Sequence, residues 1–291
     1  MRNSFIAIIL TFFISIQCSI AGADPQEKEL NPLAALAVAL IFDYTELEAL
    51  TGGFVIRSSE GICAVQKLMV RDGKELRLQG MAHIGGREFY REIKESLKNE
   101  QAIMLMEGVT DEKKLLATPP DYDSIAGRLG LASQRDHFSP EKMPETLEII
   151  RADLDTSDFS PPTIEILNFI GKIYSKEGIN LSNLLLMYMK LSDLNVSRTF
   201  LSDLITRRNQ CLIGHIQKNL SRTSIIVVPW GAMHLPQIEK WAVKDGFVLN
   251  KTSKHVVMKF PDMVKFFLSP PEAIEKSESK STRTLQDLLG I

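Results

Sequence analysis

Two short motifs of the form G-x-x-H mark the positions at which this sequence could do chemistry. Gly80 and His83 enclose the first motif, and Gly231 and His234 enclose the second. Each motif follows an apolar stretch predicted as a strand and precedes a segment with helical spacing. Since α/β proteins assemble sites from loops at the C-terminal ends of their strands, we expect the two histidines to meet at one edge of a sheet.

A carboxylate is predicted at the same edge. Residues 102–106 form a continuous apolar run, which is typical of a strand buried on both faces, and Glu107 follows it directly. Two imidazoles and one carboxylate are a common ligand set for a divalent metal ion that activates water for hydrolysis. The alternatives are a capping or hydrogen-bonding role for each histidine, and a structural pair between Glu107 and an arginine.

The elements that must position these residues alternate between strands and helices. Strands are predicted at residues 54–57, 63–70, 75–80, 102–106, 224–229, 247–249 and 255–260, and helices at 87–98, 121–131, 143–152, 162–176, 181–191, 196–220 and 236–244. An Asp-Gly turn is predicted within residues 71–74. The pattern predicts an α/β fold: a mixed central sheet built from two related strand-GxxH-helix-strand halves, with a helical insertion at about residues 118–220.

Composition excludes several classes of protein. The 291 residues carry 34 Lys and Arg against 36 Asp and Glu, a net charge of -2, so no positive field would attract nucleic acid. The three cysteines form no C-x-x-C pair, which argues against a cysteine-based zinc or redox centre. The sequence also lacks the G-x-S-x-G, P-loop and H-E-x-x-H motifs, so neither a triad hydrolase nor a nucleotide enzyme is indicated.

The two ends are predicted to lie outside the functional core. An apolar run within residues 1–23 ends in small residues, which is typical of a cleaved export signal and predicts a secreted or periplasmic protein. The alternative is an uncleaved segment that attaches the protein to a membrane. Residues 24–53 are predicted as an N-terminal helical segment, residues 54–262 as the main domain and residues 263–291 as a polar tail. Loss of the signal leaves Cys63 and Cys211, predicted as free thiols, with a disulfide as the alternative.

These motifs, taken in order, resemble the TraB/PrgY/TIKI family, also called GumN-like. The resemblance rests on residues 80–83, on Glu107 and the glycine after it, on Arg208 and Asn209, and on residues 231–235. It implies a protein similar to metal-dependent proteases that act on a peptide or protein, in a wider clan with erythromycin-esterase-like and haem-binding relatives. The chain departs from the family pattern inside both motifs, where it has Met81 and Met233.

The resemblance also implies roles for individual residues. His83 and His234 would be metal ligands or acid/base groups, Glu107 the third ligand or general base, and Arg208 would stabilise negative charge or hold Glu107. The metal would be Mn, Co or Zn. The function predicted is therefore an exported metal-dependent hydrolase, a peptidase or amidase; the alternative is a non-catalytic regulatory protein that binds a peptide or a haem-like ligand in the same cleft.

Other candidate residues are predicted to be structural. Residues 153–155, Asp-Leu-Asp, are predicted as a solvated turn, with an oxygen ligand as the alternative. Cys211 and His215 share a helical stripe with Arg208, which is typical of packing. No partner is predicted for His137 or His255.

Overall fold

The computed structural model describes residues 48–98, 100–117, 122–128, 130–174 and 189–259. The predicted export signal, the polar tail and most of the helix predicted at residues 181–191 lie outside these ranges. Within them, no helix combines the length and apolar character needed to cross a membrane.

One sheet of seven strands forms the centre of the molecule. Six strands follow the order β1-β2-β3-β8-β5-β7, and β9 pairs with β2. The strands are β1 (Val55–Arg57), β2 (Gly61–Arg71), β3 (Lys74–Met81), β5 (Ala102–Met106), β7 (Leu147–Arg151), β8 (Ile225–Gly231) and β9 (Val248–Lys259), while β4 (Ile84–Gly85) and β6 (Ala132–Ser133) make a separate two-stranded ladder.

The strands β3, β8, β5 and β7 are parallel to one another. Their last residues, Met81, Gly231, Met106 and Arg151, therefore lie at one side of the sheet, hereafter the C-terminal edge. All five residues of β5 are buried, as predicted for a strand covered on both faces. The loops that carry both G-x-x-H motifs and Glu107 leave the sheet at this edge.

The helices cover both faces of the parallel strands. They are α1 (Arg87–Ser96), α2 (Tyr122–Arg128), α3 (Gln134–His137), α4 (Pro161–Tyr174), α5 (Leu194–Leu201), α6 (Arg208–Asn219) and α7 (Leu235–Lys244), with a π-helical segment at Ser202–Arg207. Ile103 and Leu105 of β5 belong to the core that contains α6 and α7, whereas Met104 belongs to the core that contains α1. This alternation follows from the two-residue period of a strand.

Two features of the sheet confirm sequence predictions. The hairpin between β2 and β3 turns at Asp72 (φ 48°) and Gly73 (φ 72°), the left-handed pair that a two-residue Asp-Gly turn requires. The fold class is the predicted α/β class with a mixed sheet. Both halves run strand, G-x-x-H, helix, strand, but their last strands differ: β5 joins the parallel block, whereas β9 runs antiparallel to β2.

The helix predicted at residues 143–152 is wrong. Leu147–Arg151 is the strand β7, which pairs with β5 in parallel, so the insertion at residues 118–220 contributes a strand to the main sheet. The β-branched Ile149 and Ile150 favour a strand once β5 offers an open edge. The two strands predicted at 247–249 and 255–260 are one strand, β9.

The two motif glycines, Gly80 and Gly231, lie in strands and not in sharp turns. Neither has a positive φ: Gly80 is the residue before the last of β3, and Gly231 is the last of β8. Because they have no side chain, they allow neighbouring groups to lie close to their Cα atoms. A Cβ on Gly80 would lie 3.0 Å from the carbonyl oxygen of Phe54 and 3.2 Å from that of Val65. Backbone cannot move aside as a flexible side chain can.

Gly80→Ala is therefore expected to destabilise the fold by about 1–3 kcal/mol, since the methyl group would press on two backbone carbonyls. Gly214→Ala is the matched control, because its added Cβ meets nothing within 4 Å in α6 and alanine favours a helix. Urea unfolding of the two variants and the wild type measures the difference. Equal midpoints for Gly80→Ala and the wild type would show that this close approach is not required.

Candidate functional site

Four side chains from four different segments meet at the C-terminal edge. Arg208, the first residue of α6, lies at their centre. Its Nη2 donates to Glu107 Oε1 at 2.8 Å and to Asp153 Oδ2 at 2.6 Å, and its Nε donates to Asp153 Oδ1 at 2.9 Å. Its Nη1 lies 3.2 Å from Nε2 of His234. We call these four residues the Arg208 cluster.

The Arg208 cluster is buried almost completely. Side-chain exposure is 0% for Asp153, 6% for His234, 8% for Glu107 and 10% for Arg208. Charges removed from water at this depth persist only when they are paired and hydrogen-bonded. The carboxylates and the guanidinium satisfy one another here, so removing the guanidinium would leave two buried carboxylates without a counter-charge.

Glu107 is held as a carboxylate. Burial alone would raise its pKa, but the positive charge of Arg208 and the backbone N–H of Gly231, which donates to Oε2 at 2.6 Å, lower the pKa to about 2. Gly231 has a second part in this contact: a Cβ at that position would lie 3.3 Å from Glu107 Oε2. The second motif glycine thus lets the strand β8 approach the carboxylate.

His234 is held neutral. Burial lowers its pKa to about 4, against the opposing charge of Glu107. Its Nδ1 lies 2.7 Å from Oδ1 of Asn209, which can only accept, so the ring proton resides on Nδ1 and the lone pair on Nε2. Asn209 also donates to the His234 carbonyl at 3.1 Å and to Gln237 Oε1 at 2.8 Å. The ring makes no cap hydrogen bond to α7.

His83 reaches the same edge but stays at its surface. Its exposed ring stacks on Tyr122 at a centroid distance of 4.8 Å, and its carbonyl accepts from Gln134 N. Within the described residues no hydrogen bond joins the ring to Glu107 or His234, although a positive charge on His83 would lower the pKa of both. His83 is therefore the accessible imidazole of the site and His234 the enclosed one.

A π-helical segment delivers Arg208 and Asn209 to the site. The segment ends at Arg207, directly before both residues, and its Asp203 is buried. Asp203 accepts hydrogen bonds from Thr163 Oγ1 at 2.7 Å and from Arg207 Nη1 at 2.9 Å, which fixes the segment against the start of α4. Since π-helical insertions shift the phase of the helix that follows, this segment sets the direction of both side chains.

The residues predicted to bind a metal ion do not fit one in this arrangement. Arg208 makes hydrogen bonds to both Glu107 Oε1 and His234 Nε2, so the two atoms that would bind an ion already have a partner. His83 stacks on Tyr122 instead of joining them. Across the described part of the chain, no group of three His, Cys, Asp or Glu residues is arranged to hold a metal ion.

The structural candidates lie away from the cluster, with one exception. Asp155 accepts hydrogen bonds from the backbone of Glu112 and Ser157 in a turn, as predicted. Asp153 is the exception: it is buried and pairs with Arg208, so the predicted solvated turn is wrong at this residue. The remaining candidates have the following surroundings: Cys63 and Cys211 are free thiols, His137 stacks on Tyr90, His255 lies near Glu92, and the carbonyl of His215 accepts from Asn219.

Comparison with known proteins adds no information about the family or the function of the chain. No protein-family profile, curated protein or solved structure matches this chain. The resemblance to the TraB/PrgY/TIKI family therefore stays a prediction.

The sequence carries a signal for Asp153. An acid directly after an apolar strand pointed to Glu107, and Asp153 follows β7 in nearly the same way, with only Ala152 between. This similarity between Glu107 and Asp153 is visible only when residues 147–151 are known to form a strand. Tyr122, which buries its ring near Glu107 and has a raised pKa from burial and from that charge, carried no sequence signal.

The lowered pKa of His234 predicts acid sensitivity. Between pH 6.5, its ordinary pKa, and about pH 4, the unfolded chain binds a proton at His234 that the folded chain does not. Stability is thus fully present above pH 6.5 and falls on acidification, on the order of 3 kcal/mol by pH 4.

Thermal melts from pH 7 to pH 4 measure this loss. His234→Gln removes the titrating group and is expected to show a shallower decline over the same interval. Below pH 4.5 Glu107 adds to the loss in both proteins, since its pKa is also lowered. Parallel declines in variant and wild type would contradict the burial of a neutral His234.

Proposed function

We propose that this chain is an exported hydrolase that cleaves a peptide or amide bond at the C-terminal edge. One observation carries the proposal: a buried guanidinium, two carboxylates and a neutral imidazole converge beside an exposed histidine, at the position where parallel sheets build active sites. Export rests on residues 1–23 and is a prediction from sequence.

Arg208 is the residue we assign to the carbonyl oxygen of the substrate. Within the described residues, one N–H of its Nη1 faces His234 and the second makes no hydrogen bond. A fixed cationic donor in a site shielded from water stabilises the negative charge that develops on a carbonyl oxygen during attack. Because Asp153 already fixes the guanidinium, the site would need little reorganisation.

Proton transfer is assigned to His83, which would accept a proton from the water that attacks the carbonyl carbon and return it to the leaving nitrogen as the C–N bond breaks. Imidazole is the commonest general acid and base in proteins, and this ring is the exposed one at the edge. Glu107, which the sequence suggested as general base, is unsuited to that task because a pKa of about 2 makes it a weak base at neutral pH. It serves as a fixed charge that orients Arg208. No step uses a metal ion, since the residues do not fit one.

A binding protein is the second candidate, and one observation favours it. Met233, directly before His234 in the chain, exposes 37% of its surface. Exposed methionine suits adaptable apolar contact with a peptide or a haem-like ligand. In that case the same cleft would hold a ligand without turning it over.

Turnover of a peptide library by purified residues 24–291 separates the two candidates. His83→Ala is expected to lose roughly 100-fold or more in rate. Arg208→Met is expected to lose a similar factor. His255→Ala, whose ring faces Glu92 outside the cluster, is the matched control and should keep the wild-type rate. Equal rates in His83→Ala and wild type would contradict the site, and ligand binding without turnover would favour the binding protein.

A further inference from the structure

Arg208 fills the space that a metal ion would need. Its Nη2 is 2.8 Å from Glu107 Oε1 and its Nη1 is 3.2 Å from His234 Nε2. An ion shared by these two donors would require bonds of about 2 Å to each. The guanidinium already makes a hydrogen bond to each of the same two atoms, so an ion and Arg208 compete for one place.

Asp153 holds Arg208 in that position. The pair is bidentate, Nε to Oδ1 at 2.9 Å and Nη2 to Oδ2 at 2.6 Å, and the carboxylate has no exposed surface. The backbone N–H of Gly108 donates to Oδ2 at 2.9 Å and that of Leu154 to Oδ1 at 2.8 Å, which fixes Asp153 itself. Displacing Arg208 would leave a buried carboxylate without its counter-charge, a costly state.

We propose that Arg208, locked by Asp153, is the resident cation of this site and stands where the family resemblance puts a divalent metal ion. This goes beyond the proposed hydrolase, because it concerns which cation balances Glu107 and Asp153 and holds whether or not the site turns over a substrate. Trp230 supports the assignment, since its ring lies 5.4 Å from the guanidinium carbon, within reach of a cation–π contact.

The proposal predicts what removing the guanidinium would create. Glu107, Asp153 and His234 all face Arg208 now, so a small residue in its place leaves two carboxylates and one imidazole around one vacated space. Two carboxylates and an imidazole are a ligand set that divalent ions accept. Arg208→Ala is therefore expected to gain an ion site that the wild type lacks.

Calorimetric titration with Mn²⁺ and Zn²⁺, together with thermal melts in EDTA and in either ion, tests this. The wild type should bind neither ion stoichiometrically and melt at the same temperature throughout. Arg208→Ala should bind one ion at least about tenfold more tightly than the wild type, and should melt lower in EDTA and recover when the ion is added. The double variant Arg208→Ala/Glu107→Gln should lose this gain.

Arg207→Ala is the matched control, since the neighbouring arginine pairs with Asp203 and not with the cluster. Arg207→Ala should bind Mn²⁺ and Zn²⁺ no more tightly than the wild type does. Stoichiometric binding by the wild type that His234→Gln abolishes would overturn the proposal, and so would a folded Arg208→Ala that binds no more tightly than the wild type. If Arg208→Ala does not fold, Arg208→Met keeps the bulk of the side chain, and the wild-type titration alone still decides.

Discussion

The buried guanidinium of Arg208 is the interaction on which the rest of the site depends. It joins the ends of two neighbouring strands, through Glu107 after β5 and Asp153 after β7, to the loop after β8 through His234. Neither carboxylate could stay buried and charged without it. The cluster therefore links the helical layer to the C-terminal edge, and its polar chemistry is also part of what holds that edge together.

Two local features position the side chains of Arg208 and its neighbour Asn209 at the C-terminal edge. The π-helical segment ending at Arg207 sets the phase of α6, and Asp203 fixes that segment against α4. Asn209 then fixes the tautomer of His234 through Nδ1. Consecutive residues on one helix thus contact the two ring nitrogens of His234, Arg208 at Nε2 and Asn209 at Nδ1, while Arg208 also pairs with the carboxylates. The geometry of the site is decided by the helix as much as by the strands that carry the motifs.

Local patterns in the sequence were sufficient for part of this site. The strand β5, the Asp-Gly hairpin and the helices after both G-x-x-H motifs follow from periodicity and turn chemistry, and they place Glu107 and His234 at one edge. Asp153 could not be found in this way, because β7 becomes a strand through its pairing with β5, which is distant in sequence. The contact between Asn209 and His234 depends on helix phase, which no local pattern encodes. What the two glycines permit also depends on distant residues: Gly80 allows the close approach of backbone carbonyls, and Gly231 that of the Glu107 carboxylate.

The most direct test of this account is a crystal structure of the purified chain grown with Mn²⁺, with anomalous scattering used to locate the ion. We predict that Arg208 remains between Glu107 and His234, bidentate to Asp153, with no anomalous peak among them. A manganese peak bonded to Glu107 and His234, with Arg208 swung away from Asp153, would contradict the account.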